Sequence, residues 1–343
     1  MNSKYQVSRR RRARAGIASV AGALVLTAAA AGVVGGGGAQ AAAKKPVKIA
    51  YLSFAVANSY DAPMLAAAQA AAKSGGANVT VFDANNSPTT QLNQLQTVSS
   101  SHQYNAIIVQ PIFGTGLITT VKAAIKSGIK VVNMDQELGA NLSTDKPQVP
   151  GLAGNVVFVP TEIGAKLGKL ALQACKAFKL NPCNIGYLDD IKASALDVAL
   201  SQAFGGAIAG HSSVSIVAEG QDFFTPSVGL SAVQTMLQAH PEINLIVGSD
   251  QGIEGAVQAI TPGKVVLIGY GASVAGLKGV ASGAWYGDVA QLPATEGKLA
   301  VKCAIQAVRA GKGCGGVDPV AALPNGGVVT RANVKKFHGE WPG

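Results

Sequence analysis

Asn105-Ala-Ile-Ile-Val-Gln-Pro111 and Gly128-Ile-Lys-Val-Val-Asn-Met-Asp135 flank a stretch, Gly116–Ser127, whose apolar residues recur at helical spacing. Each flanking run is short, apolar and rich in β-branched residues, and each ends on polar side chains. That is the pattern of a strand buried on both faces. Two such strands around one helix make a right-handed crossover unit with parallel strands.

The alternation continues outward. Upstream, Val47–Phe54 and Val79–Asp83 read as strands, and Pro63–Ser74 and Thr89–Ser101 as helices. After a loop from Gln136 to Gly154 the pattern restarts. Strands are expected at Val156–Val159, Asn184–Tyr187, Ser213–Ala218, Leu245–Gly248 and Val265–Gly269, and helices at Thr161–Lys179, Ser194–Gly210, Ser227–His240 and Gly252–Ile260. Asn244-Leu-Ile-Val-Gly-Ser-Asp250 and Gly263-Lys-Val-Val-Leu-Ile-Gly-Tyr270 echo the first pair of strands in the same order. Two successive arrays of this kind predict an α/β fold of two doubly wound, Rossmann-like lobes, each a parallel sheet with helices on both faces.

Composition agrees. The 343 residues are 48% hydrophobic and 13% charged, with 42 Gly and few aromatics, which excludes disorder and coiled coil. The formal charge of +10 points towards nucleic acid until its location is considered. Lys4, Arg9, Arg10, Arg11, Arg12 and Arg14 supply six of the 28 basic residues, and no acidic residue precedes Asp61. The uncharged stretch Gly16–Val34 follows, then a Gly run from Gly35 to Gly38 and a small-residue site at Ala39-Gln40-Ala41. Residues 1–43 therefore read as a secretory signal peptide, with an uncleaved membrane anchor as the alternative. Cleavage would leave 22 basic against 18 acidic groups and place the protein in the periplasm, the cell envelope or the medium.

All four cysteines lie in the exported part as two close pairs, Cys175 with Cys183 and Cys303 with Cys314. An even count outside the cytoplasm points to two disulfides, each closing a helix end onto the following loop. The spacings and the scattered His102, His211, His240 and His338 do not form a metal set.

In doubly wound sheets ligands bind beyond the carboxyl ends of the strands. The residues there are Asn58, Tyr60 and Asp61, then Gln110, Asp135 and Gln136, Asp190, Asp222, Phe223 and Phe224, Ser249 and Asp250, and Tyr270. Amides, carboxylates and aromatics from both halves suit a neutral polyhydroxylated ligand.

Val47–Gly139 resembles the first lobe of type I periplasmic binding proteins of the ribose and galactose class. The likeness is densest in Asp83-Ala-Asn-Asn-Ser-Pro88 with Gln91 and Gln94, in Ile107–Pro111 and in Gly128–Asp135, and Val289-Ala-Gln-Leu-Pro293 resembles the family's late hinge segment. The resemblance implies two lobes joined by three crossovers, expected near Ala153–Phe158, Gly269–Ser273 and Asp288–Leu292. It divides the chain into a first lobe of residues 44–155 plus 271–289, a second of 156–270 plus 290–330, and a tail of 331–343. Trp285 and Tyr286 are expected in a strand packed on the first lobe.

Carried onto this sequence, the resemblance implies ligand contacts from Asn58, Tyr60, Asp135, Gln136, Phe223, Ser249, Asp250 and Gln291. Tyr60 and Phe223 would stack on the ligand, and Asp135 and Gln291 would pair with its hydroxyls. It implies a monomeric solute receptor that closes on its ligand and delivers it to an ABC permease, with no metal or organic cofactor. A receptor for a membrane sensor and a binder of non-sugar solutes are the alternatives. Three positions depart from the family. Gln136 stands where Arg often follows the carboxylate, Val198 lies near a second usual Arg, and Gly271 replaces a hinge Asp. Asp250 has a second reading as a helix cap.

Other classes lack their signatures. There is no G-x-S-x-G elbow, P-loop or H-E-x-x-H motif, so an exported enzyme is disfavoured and no catalytic residue is assigned. A sugar-responsive repressor would need a helix-turn-helix where the export segment stands, so no nucleic-acid partner is expected.

Overall fold

The computed structural model describes residues 46–343. The expected signal peptide at residues 1–43 lies outside the described residues.

The first array runs β1 (Val47–Ser53), α1 (Asp61–Gly75), β2 (Ala77–Asp83), α2 (Pro88–Ser100), β3 (Ala106–Val109), α3 (Gly114–Lys126), β4 (Lys130–Asp135) and β5 (Gly154–Val157). The second runs α4 (Pro160–Ala177), β6 (Cys183–Asp189), α5 (Ala195–Ile208), β7 (Val214–Gln221), α6 (Pro226–Ala239), β8 (Leu245–Ser249), α7 (Asp250–Ala259), β9 (Val266–Gly271), α8 (Val274–Ser282) and β10 (Gly287–Ala290). The chain ends with α9 (Pro293–Ala310), β11 (Gly315–Val317) and β12 (Val328–Thr330).

Two six-stranded sheets result, ordered β2-β1-β3-β4-β5-β11 and β7-β6-β8-β9-β10-β12. Every pairing is parallel except β10 with β12. The order reverses between β1 and β3 in one sheet and between β6 and β8 in the other. Crevices open beyond the strand ends at such switch points. Alternation along β1 explains why each sheet is covered twice. Ile49 and Tyr51 enter one core cluster with Met64 of α1 and Val301 of α9, whereas Ala50 and Leu52 enter another with Leu95 of α2 and Val121 of α3.

The paired-array architecture expected from the sequence is present, but two lobe boundaries differ. Residues 271–289 remain in the second lobe, because β10 pairs with β9 there. Conversely, α9 packs against α1, β3, β4 and β5, and β11 pairs with β5, so most of residues 290–317 belongs to the first lobe. The crossings are therefore at residues 158–159, 291–292 and 318–327. Gly269–Ser273 is the end of β9 and the two-residue link to α8, all within one lobe. A crossing is expected there only from the family resemblance; Gly271 within it sits at φ 138°.

Residues 331–343 are not a loose tail. The Trp341 side chain is buried, and its indole nitrogen donates to the Gly271 carbonyl at 3.0 Å. A Cβ at position 271 would collide with that indole, which accounts for glycine where the family carries an acid. Trp285 is also displaced from expectation. It precedes β10 and packs in the second-lobe core with Leu267 and Val280.

Both disulfides are present. Cys175–Cys183 joins the end of α4 to the start of β6, with Cα atoms 5.8 Å apart. Cys303–Cys314 joins the interior of α9 to the residue before β11, with Cα atoms 5.5 Å apart. The second bridge lies over Gly154, where a Cβ would meet both sulfurs.

Candidate functional site

A cleft lies where the two switch points face each other. From the first lobe it is lined by Phe54, Asn58, Tyr60, Asp61, Gln110, Asp135 and Gln136. From the second come Phe158, Leu196, Phe224, Ser249, Gln251 and Tyr270, and Gln291 enters from the second crossing. No Lys, Arg or His among the described residues lines it.

The first-lobe wall is organised by one amide. Gln110 follows β3, and its side-chain nitrogen donates to Asp61 at 2.5 Å and to Asp135 at 3.0 Å. Its oxygen accepts from the Phe54 backbone N–H at 3.1 Å. Gln91, buried on α2, donates to the Gln110 carbonyl at 2.7 Å and accepts from the Ile112 N–H at 2.9 Å, which locks this loop. Asn58 forms a turn in which its side-chain oxygen accepts from the Tyr60 N–H at 2.8 Å, placing Asp61 as the first residue of α1.

Burial pushes the Asp61 carboxyl up to about 8, with the Asp135 charge adding to the rise. Burial likewise raises Asp135 to about 7, opposed by the hydrogen bond from Gln110. Asp135 sits at φ 68°, a conformation uncommon for a residue with a Cβ. The loop after it is held by Asn133, which donates to the Gln136 carbonyl and to the Asn155 side chain, both at 2.7 Å. Behind the wall, the Tyr60 hydroxyl donates to buried Glu296 at 3.3 Å, and its ring meets Trp341 edge-on at 5.3 Å between centroids.

The second-lobe wall is apolar at its surface and acidic behind. The Tyr270 hydroxyl donates to Asp190, and the Ser249 hydroxyl donates to Asp222 at 3.2 Å while accepting from the Gly252 N–H. Desolvation raises Asp190, reinforced by neighbouring Asp222, and burial raises Asp222 to about 6. One hydrogen bond crosses between lobes beside the cleft, from the Gln251 amide to the Ser59 hydroxyl at 3.4 Å.

A family model described as a periplasmic binding protein domain matches residues 49–313, most of the chain. The chain belongs to the type I periplasmic binding protein family. Among its relatives, the ribose import binding protein of Salmonella typhimurium is 25% identical over 249 residues, covering 71% of this chain and 79% of that protein. A solute-binding protein of an ABC transporter from Mycobacterium smegmatis, solved with glycerol, aligns at TM-score 0.72 and 23% identity, covering 87% of this chain and 99% of the other. A periplasmic solute-binding protein from Actinobacillus succinogenes with bound D-allose aligns at TM-score 0.71 and 23% identity, over 85% and 100% of the two chains. The two disulfides fit the extracytoplasmic location that this family implies.

Within this periplasmic binding protein, six of the expected ligand contacts, Asn58, Tyr60, Asp135, Gln136, Ser249 and Gln291, line the cleft. Two expected residues do not. Phe223 is 53% exposed and points away, and Phe224 occupies the wall instead. Consecutive positive φ angles of 51° and 52° at the two residues decide which ring turns inward, and the sequence carries no mark of that. Asp250 is buried in the second lobe, where it accepts from the Ser273 N–H at 2.7 Å beside Asp288. It is not a cap either, since Ser249 caps α7. Val198 is exposed on α5 and lines a separate groove with Leu142 and Gln202. Asp61 and Gln110 follow strands and Tyr270 lies at the carboxyl end of β9, and all three are among the strand-end candidates of the sequence. Phe158 and Leu196 are indistinguishable from core residues without the fold.

Proposed function

We propose that this periplasmic binding protein is an extracytoplasmic receptor that captures a sugar or sugar-like small molecule in its cleft and passes it, as a monomer, to an ABC permease. The observation that supports this reading is the two-sided cleft itself. One wall presents amides and carboxylates suited to hydroxyls, and the other presents aromatic and aliphatic surface suited to C–H faces. Contacts to both walls would favour the closed arrangement of the lobes, because a ligand shifts a two-state equilibrium only by binding one state better. The crossings at 158–159, 291–292 and 318–327 are the points about which the lobes would move. Binding of this kind calls on no cofactor or catalytic step.

The test is a thermal-shift screen of sugars, polyols and aromatic solutes on the mature chain, followed by calorimetry of the hits. A stabilising sugar or polyol that binds one-to-one is expected, and Asp135→Ala should weaken it at least roughly tenfold, the loss of a charge-assisted bond of about 1.5–3 kcal/mol. Unchanged affinity in that variant would remove Asp135 from the site. A screen with no binder among sugars and polyols would overturn the proposal.

A further inference from the structure

The polar atoms of the two walls differ in what remains free for a ligand. On the second-lobe wall Phe158, Leu196 and Phe224 carry no polar side-chain atom. The Tyr270 hydroxyl is held by Asp190, and the Ser249 hydroxyl is engaged as both donor and acceptor. The Gln251 amide nitrogen donates to Ser59 at the margin between the lobes, which leaves the Gln251 carbonyl oxygen there as an acceptor without a partner among the described residues, away from the apolar face of Phe158, Leu196 and Phe224. On the first-lobe side and at the second crossing, by contrast, the Asn58 amide nitrogen, the second Asp135 oxygen and the whole side-chain amides of Gln136 and Gln291 have no hydrogen-bond partner among the described residues.

We infer that the ligand is one-sided. Its hydroxyls lie along a single edge facing Asn58, Asp135, Gln136 and Gln291, and its opposite face is deoxygenated or alkylated, as in a deoxy sugar or an alkyl glycoside. A hydroxyl turned towards Phe158, Leu196 and Phe224 would lose its water without gaining a partner. An apolar pocket rejects a ligand that adds one hydroxyl by up to about a hundredfold. The inference rests on the sugar-binding reading above and narrows it to a chemical class.

Calorimetry of matched pairs tests it: D-fucose against D-galactose, L-rhamnose against L-mannose, 2-deoxy-D-ribose against D-ribose, and methyl glycosides against the free sugars. In at least one pair the less hydroxylated member should bind about ten to a hundred times tighter than its parent. Leu196→Asn, which places an amide on the apolar wall, should shrink that ratio towards one while thermal melts report a folded protein. Parents that bind as tightly as or tighter than their partners in every pair would overturn the one-sided ligand and leave the sugar receptor standing. No binding by any member would overturn both.

Discussion

A single side-chain amide, Gln110, separates two buried carboxylates, and its single NH₂ group serves both. Because Asp61 and Asp135 are raised to about 8 and 7 from an ordinary value near 3.8, the folded chain binds more protons than the unfolded one between those limits. Their contribution to stability is complete below the ordinary value and is lost as pH rises through 7 and 8. The melting temperature of the ligand-free protein should therefore fall from pH 5 to pH 8. Asp61→Asn should flatten that slope and stabilise the protein at pH 8 by about 1–3 kcal/mol, the order of one unsatisfied buried group. Equal slopes for wild type and variant would show that Asp61 does not carry the extra proton. At the same scale, Phe224→Ala should weaken a confirmed ligand roughly tenfold by removing ring surface from the wall. Phe223→Ala should leave its affinity unchanged, and the reverse ranking in calorimetry would restore the assignment made from the sequence.

Among the elements, the last residues of the chain have a role that their position does not announce. Glu340 accepts from the Thr295 N–H at 2.8 Å at the start of α9, in the first lobe. Trp341 and Pro342 offer their carbonyls to Val274 and Ala275 at the start of α8, in the second. The segment thus ties together helices from both lobes and holds the Trp341 ring against Tyr60 at the cleft. Trp341→Ala should cost about 3–5 kcal/mol by denaturant melts, and it should weaken ligand binding because Tyr60 loses its support. A variant with wild-type stability would show the tie to be unimportant. The Cys303–Cys314 bridge acts on another element, the edge strand β11, which it fastens to α9. Replacing both cysteines with serine should lower stability by roughly 2–3 kcal/mol. Affinity should be unchanged, since neither sulfur lies at the cleft.

At the scale of the whole molecule, both lobes contribute to the cleft and three crossings join them, so ligand capture and lobe closure should be one event. The Gln251–Ser59 bond is made across the lobes beside the site. Small-angle scattering should show a smaller radius of gyration on adding a saturating ligand found in the thermal screen. Gln251→Ala should weaken binding by about 0.5–1.5 kcal/mol, the net worth of one hydrogen bond. An unchanged radius with full occupancy would mean that the lobes do not move.

Most of the strand and helix alternation was legible because its causes are local. Apolar runs such as Ala106–Val109 and Lys130–Asp135 must be buried on both faces, and the polar residues that end them must lie at the sheet's carboxyl edge. That logic by itself reached the doubly wound lobes and the cleft candidates from Asn58 to Tyr270, whereas the cysteine pairs followed from their spacing and Gln291 from the family resemblance. What needed tertiary structure was anything set by where the chain returns. The lobe membership of α8, β10 and α9 depends on which sheet edge is free to accept the next strand. The inward turn of Phe224 rather than Phe223 depends on two backbone angles. The burial of Asp250 against Ser273 and the seating of Trp341 on Gly271 join residues 23 and 70 apart in sequence, and local sequence carries no record of such meetings.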